Sequence, residues 1–109
     1  MEALQAPLEY IAKNYNRNLR NDELAALTPY STVYFRKLFR EATGLSPITY
    51  LHTLRIQKAK EMLRSDYGRI SDVAYTLGYV NINEFSRTFK KHTGLSPTEY
   101  VRLHREPVE

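Results

Sequence analysis

Side chains able to read or grip a nucleic acid fall at matching places in two stretches of this chain. Arg36, Lys37 and Arg40 stand in the first, and Asn83, Arg87, Lys90 and Lys91 in the second. A guanidinium can pair with guanine O6 and N7 together, a carboxamide with adenine, and an ammonium with phosphate. Each group flanks phenylalanines spaced four apart, Phe35 and Phe39, then Phe85 and Phe89. With these turned inward on a helix, Thr32, Val33, Arg36, Lys37 and Arg40 face outward in the first stretch. Ile82, Asn83, Ser86, Arg87, Lys90 and Lys91 do so in the second. Arg36 is then placed for guanine, and Val33 for a thymine methyl. Arg40, further along, suits phosphate, as do Lys90 and Lys91. Asn83 carries the amide for adenine, and Arg87 reaches guanine or phosphate. Ser31 and Asn81, just ahead of the two helices, complete the expected phosphate set. Charge alone does not single out DNA, because a basic helix face is commonly only solvated surface. Phe35, Phe39, Phe85 and Phe89 read as core, Tyr50 and Tyr100 as packing residues with a polar tip, and Glu84 as a capping partner.

The two stretches belong to a longer duplication. Phe35-x-x-x-Phe39-Arg40-x-x-Thr43-Gly44-Leu45-Ser46-Pro47-x-x-Tyr50 returns as Phe85-x-x-x-Phe89-Lys90-x-x-Thr93-Gly94-Leu95-Ser96-Pro97-x-x-Tyr100, at an offset of 50 residues throughout. A period of that length marks one supersecondary unit used more than once. Two similar helical lobes held together can grip a regular polymer such as DNA at two points.

The elements that carry these residues are helical. Leu4 to Tyr15 has apolar Leu4, Leu8, Ile11, Ala12 and Tyr15 at helical spacing. Asn21 is expected to cap a short second helix through Leu24, Ala25 and Leu27, with Asp22 and Glu23 in its first turn. Pro29 ends it. Ser31 caps a third helix, Thr32 to Ala42, and Gly44 follows it. Ser46-Pro47 starts the longest helix, Pro47 to Arg64, with apolar residues on more than one side. After the turn Ser65-Asp66-Tyr67-Gly68, a short helix runs from Ile70 to Leu77, with Val73-Ala74 standing for Leu24-Ala25. Asn81 caps a sixth helix that ends at Gly94, and Ser96-Pro97 begins a seventh. Pro107 closes the ordered part. The reading is all-α: seven helices forming two helix-turn-helix subdomains joined by a long central helix. The expected segments are 7–46, the linker helix 47–65, 66–105 and a tail, 106–109. A short helix, a tight turn and a longer basic helix form the helix-turn-helix, whose second helix fits the major groove of B-form DNA.

Composition narrows the alternatives. The chain has 109 residues, 26% charged and 42% apolar, with a formal net charge of +4. Each half is near the lower limit for a stable domain. The basic balance favours an anionic partner. There is no cysteine, so disulfides, thiolate metal sites and thiol nucleophiles are excluded. The histidines His52, His92 and His104 have no metal-ligand spacing, and the four glycines form no phosphate-cradling loop. No enzyme, metal or cofactor is expected. His92 reads as a surface residue near a helix end that favours positive charge. No apolar run reaches the ~18 residues of a membrane span, and the first residues lack a secretion signal's layout. A protein-binding helical module would show an apolar stripe where Arg36, Lys37, Arg40, Arg87, Lys90 and Lys91 stand.

At these residues the chain resembles the AraC/XylS family of bacterial transcription regulators, from about Pro7 to Arg105. The resemblance is most specific in Ile70-Ser71-Asp72-Val73-Ala74-x-x-Leu77-Gly78-Tyr79 and in Phe85-Ser86-Arg87-x-Phe89-Lys90-Lys91-x-x-Gly94-x-Ser96-Pro97-x-x-Tyr100. Tyr50-Leu51-x-x-x-Arg55 matches as well. The resemblance implies two recognition helices in successive major-groove segments. The base-contacting positions would be Val33, Arg36 and Lys37, then Ile82, Asn83 and Arg87. Thr28-Pro29-Tyr30 departs from the pattern, standing where a glycine-containing turn is usual. The family implies a cytoplasmic, nucleoid-associated regulator whose partner is double-stranded DNA, with RNA polymerase as a possible second one. Many relatives carry an amino-terminal sensing and dimerisation domain for which this sequence has no candidate, so either a stand-alone single-domain regulator or, as the favoured expectation, a carboxy-terminal fragment of a larger protein is implied.

Overall fold

The structure, a computed structural model, describes residues 2–65 and 68–104. Among them are seven α-helices and no strand: α1 (Gln5–Asn14), α2 (Asn21–Ala25), α3 (Thr32–Thr43), α4 (Pro47–Arg64), α5 (Ile70–Thr76), α6 (Ile82–Thr93) and α7 (Pro97–His104). A 3-10 turn, Glu2–Leu4, precedes α1. Asp66, Tyr67, Pro107 and the 106–109 tail lie outside the described residues. The chain divides into two compact units, Met1–Leu54 and Arg55–Glu109, and the division falls within α4. Each unit carries one helix-turn-helix, α2–α3 in the first and α5–α6 in the second.

The first unit closes over Leu4, Ile11, Leu19, Leu24, Ala25, Phe35, Phe39 and Leu51, with Leu8, Tyr10, Tyr30, Leu38 and Tyr50 packed against them. Ala12, expected inward, is exposed. In the second unit Ile56, Ala59, Leu63, Val73, Ala74, Leu77, Tyr79, Phe85, Phe89 and Tyr100 are buried. Each large apolar side chain removed from water contributes about 1.5–3 kcal/mol.

The duplicated motif folds the same way twice. Phe35 and Phe39 have ring centroids 5.7 Å apart, and so do Phe85 and Phe89. Tyr50 meets Phe39 edge-on at 5.4 Å, and Tyr100 meets Phe89 at 5.3 Å. Gly44 and Gly94 both take the left-handed conformation at φ 82°, which a side chain disfavours. Beside each, a threonine hydroxyl, of Thr43 or Thr93, shares its one proton between the carbonyl four residues back in its helix and that of the following leucine.

The second helix departs from expectation. Its N-cap is Arg20, and Asn21 is the first helical residue. The Asn21 Oδ1 is buried without a hydrogen-bond partner. An arginine side chain has no acceptor. The helix start is held from the other side, by the Glu23 carboxylate accepting from the Arg20 N–H at 3.4 Å. Glu23 also accepts from the Tyr10 hydroxyl and pairs with Arg17, both at 2.9 Å, which ties α2 to α1. The helix stops at Ala25 rather than Leu27, because Leu27 and Thr28 donate to carbonyls three residues back in a tightened last turn.

Candidate nucleic-acid interface

The α3 and α6 helices are 12 residues each, and their starts are fixed by side-chain caps as the sequence predicts. Ser31 Oγ accepts from the Tyr34 N–H at 3.1 Å, and Asn81 Oδ1 accepts from the Glu84 N–H at 2.8 Å. The preceding turns reach these caps by different chemistry. In the second unit Gly78 at φ 97° allows the Tyr79 N–H to reach the Ala74 carbonyl at 3.0 Å. In the first, the Thr28 hydroxyl donates to the Ala25 carbonyl at 2.7 Å and accepts from the Tyr30 N–H at 3.2 Å. The Thr28-Pro29-Tyr30 departure is thus accommodated by a side chain in place of a glycine.

With Phe35, Phe39, Phe85 and Phe89 fully buried, the opposite helix faces point to water. Val33 is 79% exposed, and Arg36, Lys37 and Arg40 are exposed beside it. On α6, Asn83, Arg87, Lys90 and Lys91 are exposed, and Ile82 is 37% exposed. Ser31 and Asn81 are exposed at the helix starts, with their acceptors engaged in capping. Thr32 and Ser86, expected outward, are only half-exposed. They lie on the flank of each helix, where the 100° step brings them toward the core. Among the described residues, no close ion pair engages Arg36, Lys37, Arg40, Arg87, Lys90 or Lys91. Their charges are available to an anion.

His92 is exposed in the last turn of α6, as expected. Its pKa is pushed below the usual histidine value: loss of hydration is the first cause, and the neighbouring Lys91 and Lys60 add to it.

Sequence reasoning passed over several exposed apolar residues beside these faces. Tyr34, in the first turn of α3, is exposed and held edge-on against Tyr30 at 5.1 Å. Tyr75 on α5 and Val80, directly before Asn81, are exposed too. Residue type gave no signal for them, since tyrosine and valine in a helical motif usually mean core. Arg55 was visible only as part of a motif, and it is buried.

Comparison with known proteins agrees with this geometry. A helix-turn-helix domain family matches residues 24–103. The chain is 34% identical over 95 residues to the HTH-type transcriptional regulator YobQ of Bacillus subtilis, covering 87% of this chain and 39% of that protein. It superposes with a TM-score of 0.91 and 30% identity on the C-terminal domain of AraT, a response regulator from Geobacillus stearothermophilus, covering 98% of this chain and 89% of that one. The DNA-binding domain of AdpA, a global transcriptional factor solved with a target DNA, shares the fold at a TM-score of 0.85 and 24% identity, covering 93% and 91%. The chain spans well under half the length of the curated relatives it matches. With its duplicated helix-turn-helix and these likenesses, the chain belongs to the AraC/XylS family of helix-turn-helix DNA-binding domains.

Proposed function

We propose that the chain reads double-stranded DNA by sequence, with α3 and α6 entering successive segments of the major groove. The observation that carries this is the equivalence of the two helices: same length, same kind of cap, same buried phenylalanine pair, and a cationic outer face held in no close ion pair. A helix of this kind fits the groove, and its amino-terminal half meets base edges. In this reading Val33, Arg36 and Lys37 meet bases from α3, and Ile82, Asn83 and Arg87 from α6. Ser31, Arg40, Asn81, Lys90 and Lys91 meet phosphates. Phosphate oxygens only accept, so Ser31 and Asn81 act through donor groups, the Ser31 hydroxyl and the Asn81 amide.

The chain serves as the DNA-binding part of a bacterial transcription regulator acting in the cytoplasm. A sensing and dimerisation domain on its amino-terminal side, and RNA polymerase as a second partner, complete the reading. Its support is the family and the greater length of the relatives. No helix among the described residues is long and apolar enough to cross a membrane.

Selecting bound duplexes from a random library tests the reading. An enriched motif of two blocks, bound more tightly than its scramble in a gel-shift titration at two salt concentrations, is the expected result. Recovery of unenriched sequence, with equal affinity for motif and scramble, defeats it.

A further inference from the structure

Among the described residues Arg55 is the one charged side chain that is buried, at 3% exposure. A charge taken out of water is held only where partners replace the water. One described partner lies in the turn of the second helix-turn-helix. The guanidinium carbon lies 5.0 Å from the centre of the Tyr79 ring, a cation over an aromatic face. Tyr79 is itself 2% exposed and occupies the turn between α5 and α6. Its ring lies 5.4 Å from that of Phe85 on α6. Burial raises the pKa of its hydroxyl, and Arg55 and, more weakly, Thr88 of α6 oppose the rise. Burial pushes the Arg55 pKa down, and Tyr79, then more weakly Glu84 in the first turn of α6, oppose this.

We propose that Arg55 is the positioning residue of the second recognition helix, fixing the approach of α6 through Tyr79. The first unit has no buried charge among its described residues, so the device serves α6 and not α3. Arg55 touches no DNA in this scheme. It acts by holding the turn and the first turn of α6 in one orientation.

The inference rests on the DNA reading above, and two measurements on the full chain separate them. Amide hydrogen exchange is measured without DNA. Arg55→Met keeps the stem and removes the charge, so the amides of 85–88 should exchange about tenfold faster while those of 35–38 change little. Duplex selection is then repeated with each variant. Arg55→Met should relax the block of the motif read by α6 and leave the other block intact, with about tenfold loss of preference over scramble. Arg55→Lys, which restores charge without the planar group, should recover part of both effects. Uniform acceleration of exchange in both units, or equal relaxation of both blocks, overturns the proposal. If the wild-type chain enriches no motif the DNA reading falls, and selective exchange at α6 still decides whether Arg55 holds that helix.

Discussion

Arg87 and Lys90 stand one helical turn apart on the outer face of α6, both exposed, and are expected to lose different things. Arg87 lies in the leading half of the helix and carries a fork suited to a base edge. Arg87→Ala should weaken binding to a selected duplex by ~1–3 kcal/mol and leave a random duplex nearly unchanged. Equal losses on both duplexes in a gel-shift titration reassign Arg87 to phosphate. Lys90 lies in the last turn, so Lys90→Ala should lower affinity for every sequence and reduce the slope of log K against log salt by about 1. The capping residues Ser31 and Asn81 and the left-handed Gly44 and Gly94 were legible at this scale, because each meets a local requirement its own side chain states. The surroundings of Arg55 were not, since Tyr79 lies more than twenty residues away and spacing alone cannot bring them together. Gly94 gives a clean stability test: a Cβ added there meets nothing within 4 Å. Gly94→Ala should therefore cost only the left-handed backbone strain, about 1–2 kcal/mol, read as a lowered midpoint in urea melts.

Caps dominate at the scale of the element. Glu23 and Glu99 each serve a helix start, and each has its pKa held below the usual carboxylate value. For Glu99 the main cause is the Ser96 N–H, then the Ser96 hydroxyl. For Glu23 it is the Tyr10 hydroxyl, then the Arg20 N–H and Arg17. A lowered folded-state pKa means the stabilisation is present above the unfolded value of ~4.3 and is lost as pH falls through the folded one. Glu99→Gln keeps an acceptor for the Ser96 N–H but cannot titrate. Wild type should exceed the variant in stability near pH 7, and the two should converge on acidification. A gap that persists unchanged at low pH in thermal melts would show that the carboxylate charge contributes nothing. The same scale shows why α2 was misread: Asn21 has a good capping side chain, but Glu23 and its Tyr10 contact from α1 hold the preceding N–H. That contact spans 13 residues, beyond what a capping rule can see. The first helix-turn-helix is also one residue tighter between Ala25 and Thr32 than the second between Ala74 and Ile82, a slip that the 50-residue offset downstream concealed.

The duplication makes a quantitative demand of the whole molecule. If both units meet DNA, each must release counterions in proportion to the phosphates it neutralises. The α3 face offers Arg40 and the α6 face Lys90 and Lys91, all exposed and in no close ion pair among the described residues. Arg40→Ala should reduce the salt slope by roughly 1, Lys90→Ala with Lys91→Ala by roughly 2, and the three together by roughly 3. Additivity is expected because no side chain serves both faces. Binding to a long random duplex, followed from low to moderate salt, measures this without knowledge of the operator. Lys37 is assigned to a base, so Lys37→Ala should instead lose preference for the selected motif, whereas the Lys90 and Lys91 pair should not. If one face leaves the slope untouched, only the other unit grips DNA, and the repeat that organises the sequence would serve folding in one half and recognition in the other.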